Sequence, residues 1–297
     1  MRIASLLPAA TEMVAALGLA DDLVAVTDEC DEPAGIRGRA RVVVGAALDP
    51  DLDPAAIEAA VRERVAAGLP MYTLDRDGLR AAAPELVLTQ DLCRVCALPA
   101  GTVDDALAAL DLDADVCSVD PHTVDDVLDA LGEIGRRTGA VGPARDLVAG
   151  LRTRLATVAD AVVGRSRPRV LVLEWTDPLY AAGHWVPELV RRAGGDPVGA
   201  VEGGRSVPIG DGELERLREA VDVVVVAPCG YGLDAAATQA VAVAARLPGT
   251  PLIAIDSASY VVRAGPRLVD GVEALAWALH PDVLPAPPAG RIAPVPV

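Results

Sequence analysis

The feature that most constrains this 297-residue chain is a pattern: short β-branched runs alternate with longer helical periods, stop, and then alternate again. Runs at 3–7, 23–27, 41–45, 71–74, 86–90 and 116–120 read as strands, and 10–17, 54–67, 79–83 and 103–110 read as helices. Thr102 is the expected N-cap of the last of these, with Asp104 and Asp105 in its first turn. From residue 123 to 163 there is almost no strand signal. Thr123 heads one helix, with Asp125 and Asp126 near its start and an apolar stripe at Val127, Leu128, Leu131 and Ile134. Gly139, Gly142 and Pro143 break the period and Ala144 restarts it. Leu147, Val148, Leu151, Leu155 and Val158 then form the stripe of a second helix of about 20 residues, or about 30 Å. Strand runs resume at 170–175, 221–227 and 251–256, with helices at 186–193, 212–220, 234–246 and 266–279. The Pro- and Ala-rich tail from Pro281 is expected to be an extended strap or unstructured.

Such alternation predicts an α/β fold of two Rossmann-like lobes joined by a long connecting helix, with a ligand cleft between them. The expected divisions are an N-terminal α/β lobe over 1–122, a helical connector over 123–164 and a C-terminal α/β lobe over 165–297. With 52% apolar residues, each lobe has enough material for its own core. In open sheets of this kind ligands bind at the carboxyl ends of the strands, so the strand-end loops are where chemistry is sought.

Composition removes several functions. The chain has no Lys, which excludes a P-loop lysine and Schiff-base catalysis. Its formal charge of −17 is spread along the sequence and repels phosphate backbones and anionic lipid heads, so nucleic acid is not an expected partner. No apolar stretch reaches about 18 residues without charge or Pro, so membrane insertion is not expected. Met1-Arg2 leads directly into the first strand run without a leader pattern. The expected location is therefore cytoplasmic, the alternative being a mature secreted form with its signal peptide removed.

Five cysteines, an odd number, argue for thiols over a disulfide framework. Cys30, Cys93, Cys96 and Cys229 each follow a strand run, a placement that suits zinc or an iron–sulfur cluster if they converge; Cys117 lies inside a strand and reads as core. His184-Trp185, between Gly183 and Pro187, is a candidate ligand contact, whereas His122 and His280 read as structural. Glu29 and Glu174 lie nearer strand ends than Asp31 and Glu32, which read as a solvated acidic loop. Pro8, Ala9 and Thr11 open the first helix, whose N–H groups can receive an anionic or amide group.

Several segments, in order from residue 3 to about 280, resemble the cobalamin and iron-siderophore class of periplasmic binding proteins, in which one long helix joins two α/β lobes. They are Ser5-Leu-Leu-Pro-Ala-Ala-Thr-Glu-Met-Val-Ala-Ala-Leu-Gly18, Val26-Thr-Asp-Glu-Cys-Asp-Glu-Pro33, Ala83-Pro-Glu-Leu-Val-Leu-Thr-Gln90, Gly194-Gly195 and Arg263-Ala-Gly-Pro-Arg-Leu-Val269. Thr89-Gln-Asp-Leu-Cys-Arg-Val-Cys96, Leu173-Glu-Trp175, Gly183-His-Trp-Val-Pro-Glu188 and Pro228-Cys-Gly230 resemble unsecreted, cobalamin-binding-like chains of the same class. The resemblance implies a soluble binding protein for a small-molecule ligand, cobalamin or another corrinoid or metal chelate, and an ABC transporter as partner if the protein is exported. It implies ligand contacts from Glu29, Gln90, Asp91, Gly230 and the aromatics Trp175, Trp185, Tyr231 and Tyr260, with His184 as candidate axial ligand. The secreted cobalamin receptor offers aromatics from both lobes, whereas Glu29 and Gln90 stand at the matching N-lobe positions here. The alternative is a cytoplasmic metalloprotein or enzyme on the same fold, in which Cys30, Cys93, Cys96 and Cys229 hold zinc or a cluster beside Glu29, Glu174 or His184.

Overall fold

A computed structural model describes residues 1–49, 52–91, 98–200 and 203–296. The chain divides into two compact units, Met1–Pro121 with Asp126–Val148, and His122–Asp125 with Ala149–Val297.

In the first unit β1 (Ile3–Ser5), α1 (Pro8–Ala16), β2 (Leu23–Thr27), α2 (Ile36–Arg39), β3 (Arg41–Ala46), α3 (Pro54–Ala66), β4 (Tyr72–Leu74), α4 (Arg76–Ala82), β5 (Leu86–Thr89), α5 (Ala100–Leu110) and β6 (Asp115–Ser118) follow one another. The strands form one sheet in the order β4-β3-β2-β1-β5-β6, parallel except for antiparallel β4. Parallel central strands are covered on both faces, and Ile3, Ala4, Val87 and Leu88 are accordingly sealed from solvent. Leu79 and Ala82 of α4 and Val103 and Leu107 of α5 pack with Ala4, Ala25, Val43 and Val87 in one core cluster.

Two local corrections arise here. α5 begins at Ala100, not after Thr102, because Pro99 precedes it with a φ suited to a helix start and Asp91 accepts a hydrogen bond from the Ala100 N–H at 2.9 Å. α4 begins earlier than its apolar period suggests, because the Asp75 carboxylate accepts from the Gly78 N–H.

Two helices follow, α6 (Val124–Thr138) and α7 (Val141–Val162). α7 starts three residues before the expected Ala144, since Pro143 is tolerated in a first turn where its missing N–H has no partner to lose. A Cβ at Gly135 would collide with that of Ala144, so the bare backbone lets the two helices approach. The division between the units passes through α7 after Val148.

The second unit continues with β7 (Arg169–Thr176), β8 (Leu179–Ala181), α8 (Val186–Arg192), β9 (Asp196–Pro197), β10 (Val207–Pro208), α9 (Asp211–Ala220), β11 (Val223–Val226), α10 (Leu233–Arg246), β12 (Leu252–Ile255), α11 (Ser257–Tyr260), α12 (Leu268–Leu279) and β13 (Ile292–Val295). The sheet runs β10-β8-β7-β11-β12-β13, with β9 beside β7. Its centre, β7-β11-β12, is parallel; β8 and β13 run antiparallel to their neighbours. Leu171, Leu173, Val224, Val226 and Leu252 share a core with α9 and α10. Of the two expectations for the tail, an extended strap or an unstructured segment, its last residues follow the first: they form β13, in which Ile292 and Val295 are buried against β12.

Candidate functional site

The richest strand-end group lies at the carboxyl edge of the second sheet. Glu174 and Trp175 stand near the end of β7, and Pro228, Cys229, Gly230 and Tyr231 follow β11, its parallel neighbour. That adjacency places the Trp175 and Tyr231 rings 6.1 Å apart, tilted by 53°. Both rings are half-buried, and Trp175 Nε1 donates to the Asp177 carbonyl at 3.0 Å. Gly230 adopts φ +83°, a left-handed turn suited to glycine. Cys229 is exposed.

Glu174 Oε2 accepts from Ser206 Oγ at 2.9 Å and from the Gly183 N–H at 3.3 Å, so this carboxylate holds down the loop that carries His184. A Cβ on Gly183 would meet backbone atoms of residues 204–206 at 2.5–2.6 Å, so two backbones cross there. The crossing is closed by His184 N to Gly204 O at 2.6 Å and Gly203 N to His184 O at 3.0 Å. His184 sits within it at φ +53°, an uncommon and strained conformation for a non-glycine residue. Its Nδ1 is buried with no hydrogen-bond partner. Burial, and then electrostatic repulsion from Arg205 and His122 against a second proton, push its pKa below the ordinary histidine value, so the ring is neutral at neutral pH. Trp185 differs: it is buried and its Nε1 donates to Val261 O at 2.8 Å, which makes it a wall of the fold. Tyr260 ends α11, and its ring is bracketed by Arg291 and Arg267, whose Cζ atoms lie 4.9 and 5.7 Å from its centroid.

Strand ends of the first unit look different. Pro8 and Ala9 open α1, and Thr11 is fully buried, its hydroxyl 2.8 Å from Ser5 Oγ and 3.0 Å from Cys30 Sγ. Thr27 Oγ1 lies 3.3 Å from the same sulfur. Cys30 is thus a buried thiol inside a small polar knot. Glu29 is exposed and Gln90 is buried at the end of β5. Asp91 ties its loop together, accepting from Ala100 N–H, while its own N–H donates to Asp120 Oδ1 at 2.6 Å. Cys93 and Cys96 lie outside the described residues, and among the described residues no three His, Cys, Asp or Glu side chains come together as a metal site. The expected four-cysteine site thus lies partly outside the described residues, and Cys30 and Cys229 belong to no such group among them. Cys117 is buried in β6, where burial pushes its thiol pKa up. His280 is buried, with Nε2 3.2 Å from Gly194 O. Hollows elsewhere, one of about 170 Å³ beside Trp277 and Ile292 and one of about 410 Å³ among Ser118, Asp120, Asp129 and Glu133, contain none of the strand-end candidates.

Residues 3–244 match the family described as periplasmic binding protein. The chain belongs to that family. Solved structures agree on the fold. A periplasmic heme binding protein from Pseudomonas aeruginosa matches with a TM-score of 0.73 at 20% identity, over 100% of this chain and 98% of that one. The heme-binding protein HutB of Vibrio cholerae gives a TM-score of 0.70 at 19% identity over 95% and 99% of the two chains. The vitamin B12 binding protein BtuF of Vibrio cholerae gives 0.60 at 21% identity over 94% and 96%. Curated protein sequences give no match. Among the described residues no helix is long and apolar enough to cross a membrane.

Ser206 and Arg291, which contact Glu174 and Tyr260, and Arg267, quoted above only within the Arg263–Val269 segment, were not among the expected ligand contacts. Ser206 carries no sequence signal, being placed by the loop crossing at Gly183. Arg291 stands in a tail whose composition suggests an extended strap or an unstructured segment, and only the β12–β13 ladder brings it to Tyr260.

Proposed function

We propose that this periplasmic-binding-family protein carries a flat tetrapyrrole, a corrinoid or haem, held by the strand-end loops. The observation that carries this reading is the Trp175–Tyr231 pair at the ends of adjacent parallel strands, where the open sheet presents ligand sites. Aromatic faces suit a large planar macrocycle, since they bury apolar area at little cost in side-chain entropy. Glu174 fixes the neighbouring loop, and His184 offers a neutral ring with one nitrogen lacking a protein partner. The ligands named for the similar structures, haem and vitamin B12, support the class. Neither the family nor those neighbours supports the cluster-bearing enzyme alternative.

The periplasmic setting of the three similar structures supports an exported protein that delivers its ligand to an ABC transporter. The deciding experiment is a pair of titrations of the purified full chain, with hemin and with cyanocobalamin, followed by absorbance and tryptophan fluorescence. Saturable one-to-one binding of either ligand, weakened by Trp175→Ala, supports the reading. No saturable response to both would falsify it.

A further inference from the structure

Tyr260 lies just past the carboxyl end of β12, and the guanidinium nearest its ring comes from the far end of the chain. Arg291 precedes β13 and is put in place by the β12–β13 pairing, Ile255 opposite Ile292, and by the Asp256 N–H donating to Arg291 O at 2.8 Å. Those contacts fix the backbone only. An arginine side chain has several rotatable bonds, so something must also hold its head group.

Asp270, in the first turn of α12, does this. Its Oδ1 lies 3.3 Å from Arg291 Nη1 and 2.5 Å from Arg154 Nη2. Arg154, on α7, also forks onto Glu273, with Nε and Nη2 at 2.8 and 2.6 Å from its two oxygens. This planar two-point grip is specific to arginine. Glu273 and then Asp270 hold the Arg154 guanidinium firmly in its charged form, its pKa raised above the usual value. Two carboxylates thus balance two guanidiniums, and Asp270 is the one that both guanidiniums share. Its side chain is only 18% exposed, and that of Arg291 only 21%, so the pair is less screened than a surface contact.

We propose that Asp270 is a positioning residue for ligand binding: it holds Arg291 over the Tyr260 ring, so that the end of β12 presents a guanidinium in a fixed place. The inference rests on the tetrapyrrole reading and extends it beyond residue 244, where the family match ends. Without the Asp270 charge, Arg154 keeps Glu273 as its partner, whereas Arg291 loses its hold and turns to solvent. A ligand whose rim carries carboxylates, such as haem, senses that loss; one whose rim carries neutral amides, such as cobalamin, does not.

The test compares hemin affinity for the full chain and for Asp270→Asn, Arg291→Met and the double variant. Each single change is expected to weaken hemin about tenfold, the size of one charge-assisted contact. The double variant is expected to be no weaker than Arg291→Met alone, and Asp270→Glu to recover most of the affinity. A full additional loss from Asp270→Asn in the Arg291→Met background overturns the proposal, because Asp270 then acts by another route. A crystal structure of ligand-free Asp270→Asn decides the geometry without any ligand: Arg291 off the ring supports the proposal, and Arg291 still over Tyr260 overturns it. If Tyr260→Leu and Trp175→Ala both leave hemin affinity unchanged, the tetrapyrrole site itself fails. If those two weaken hemin and Asp270→Asn does not, the positioning role alone fails.

Discussion

The carboxyl edges of the two sheets are built alike, each from an apolar strand, a short loop and a helix, yet their polar groups serve different ends. In the first unit Ser5, Thr11, Thr27 and Cys30 satisfy one another in a buried knot, and Asp91 and Asp120 tie one loop to its neighbours. Asp28 is the exception, with one carboxylate oxygen on the Ala46 N–H and the other buried without a partner. In the second unit the loops are fixed as firmly, but what they fix is two aromatic rings, a strained histidine with a partnerless nitrogen, and a guanidinium over a tyrosine. Polar groups closed on themselves hold the fold; groups held rigid by others, with bonding capacity left over, are the ones a ligand can use.

The sharpest way to break this contrast is Gly183→Ala. The added Cβ meets backbone atoms, not flexible side-chain ends, so the crossing must open. A cost of about 3 kcal/mol is expected from forced overpacking, together with loss of ligand binding as His184 and Glu174 move. Urea melts and hemin titration of the same sample check both; an unchanged melt would mean that the crossing is loose. The counterpart in the first unit is Thr11→Val. It removes the hydroxyl shared by Ser5 and Cys30 and leaves buried groups short of a partner, at about 2 kcal/mol. Stability should drop while ligand affinity stays. A large affinity loss would move the site toward the first unit.

Trp175→Ala sharpens the comparison from the ligand's side. Losing one stacking face should weaken tetrapyrrole binding by about 1.5 kcal/mol, roughly tenfold, with little change in the melt because the ring is only half-buried. Glu29→Gln, at an exposed strand-end position of the first unit, should leave tetrapyrrole affinity unchanged. Isothermal titration of the two variants side by side settles which edge the ligand rests on.

Much of the architecture is legible in the sequence because period-2 and buried β-branched runs leave few choices: Leu23–Thr27 and Leu252–Ile255 appear where their residues predict them. What was not legible depends on contacts made far along the chain. The β8 and β10 strands are two or three residues long and gain their order from β7, not from their own composition. The tail strand contains Pro294, which argues against a strand until it is seen at the sheet edge. Among the site candidates, Trp175 and Tyr231 were readable because one ends a strand run and the other follows one, whereas the difference between Trp185, locked on Val261, and Trp175 is a hydrogen bond no local pattern encodes. Cys30 reads as a metal ligand by position alone, and only the two threonine hydroxyls around it reveal a packed thiol.

The smallest expected effect concerns His184 and isolates it from the rest of its edge. Burial and electrostatic repulsion from Arg205 and His122 against a second proton lower its pKa in the fold relative to an unfolded value of about 6.5. Below that value the unfolded chain binds a proton that the folded chain resists. Stability attributable to this residue is therefore complete at neutral pH. It falls as the pH drops below the unfolded value and levels off once the folded pKa is passed. His184→Gln abolishes that part of the slope, and the difference between wild type and variant melts, taken at about pH 7.5 and about pH 5, should be under about 1 kcal/mol because the ring is only partly buried. His184→Gly separates strain from charge. It relieves the φ +53° backbone and should stabilise the protein by up to about 1 kcal/mol while weakening the ligand. If both variants melt and bind like wild type at both pH values, the strained loop has no part in the function, and the contrast between the two edges rests on the aromatic pair and the arginine alone.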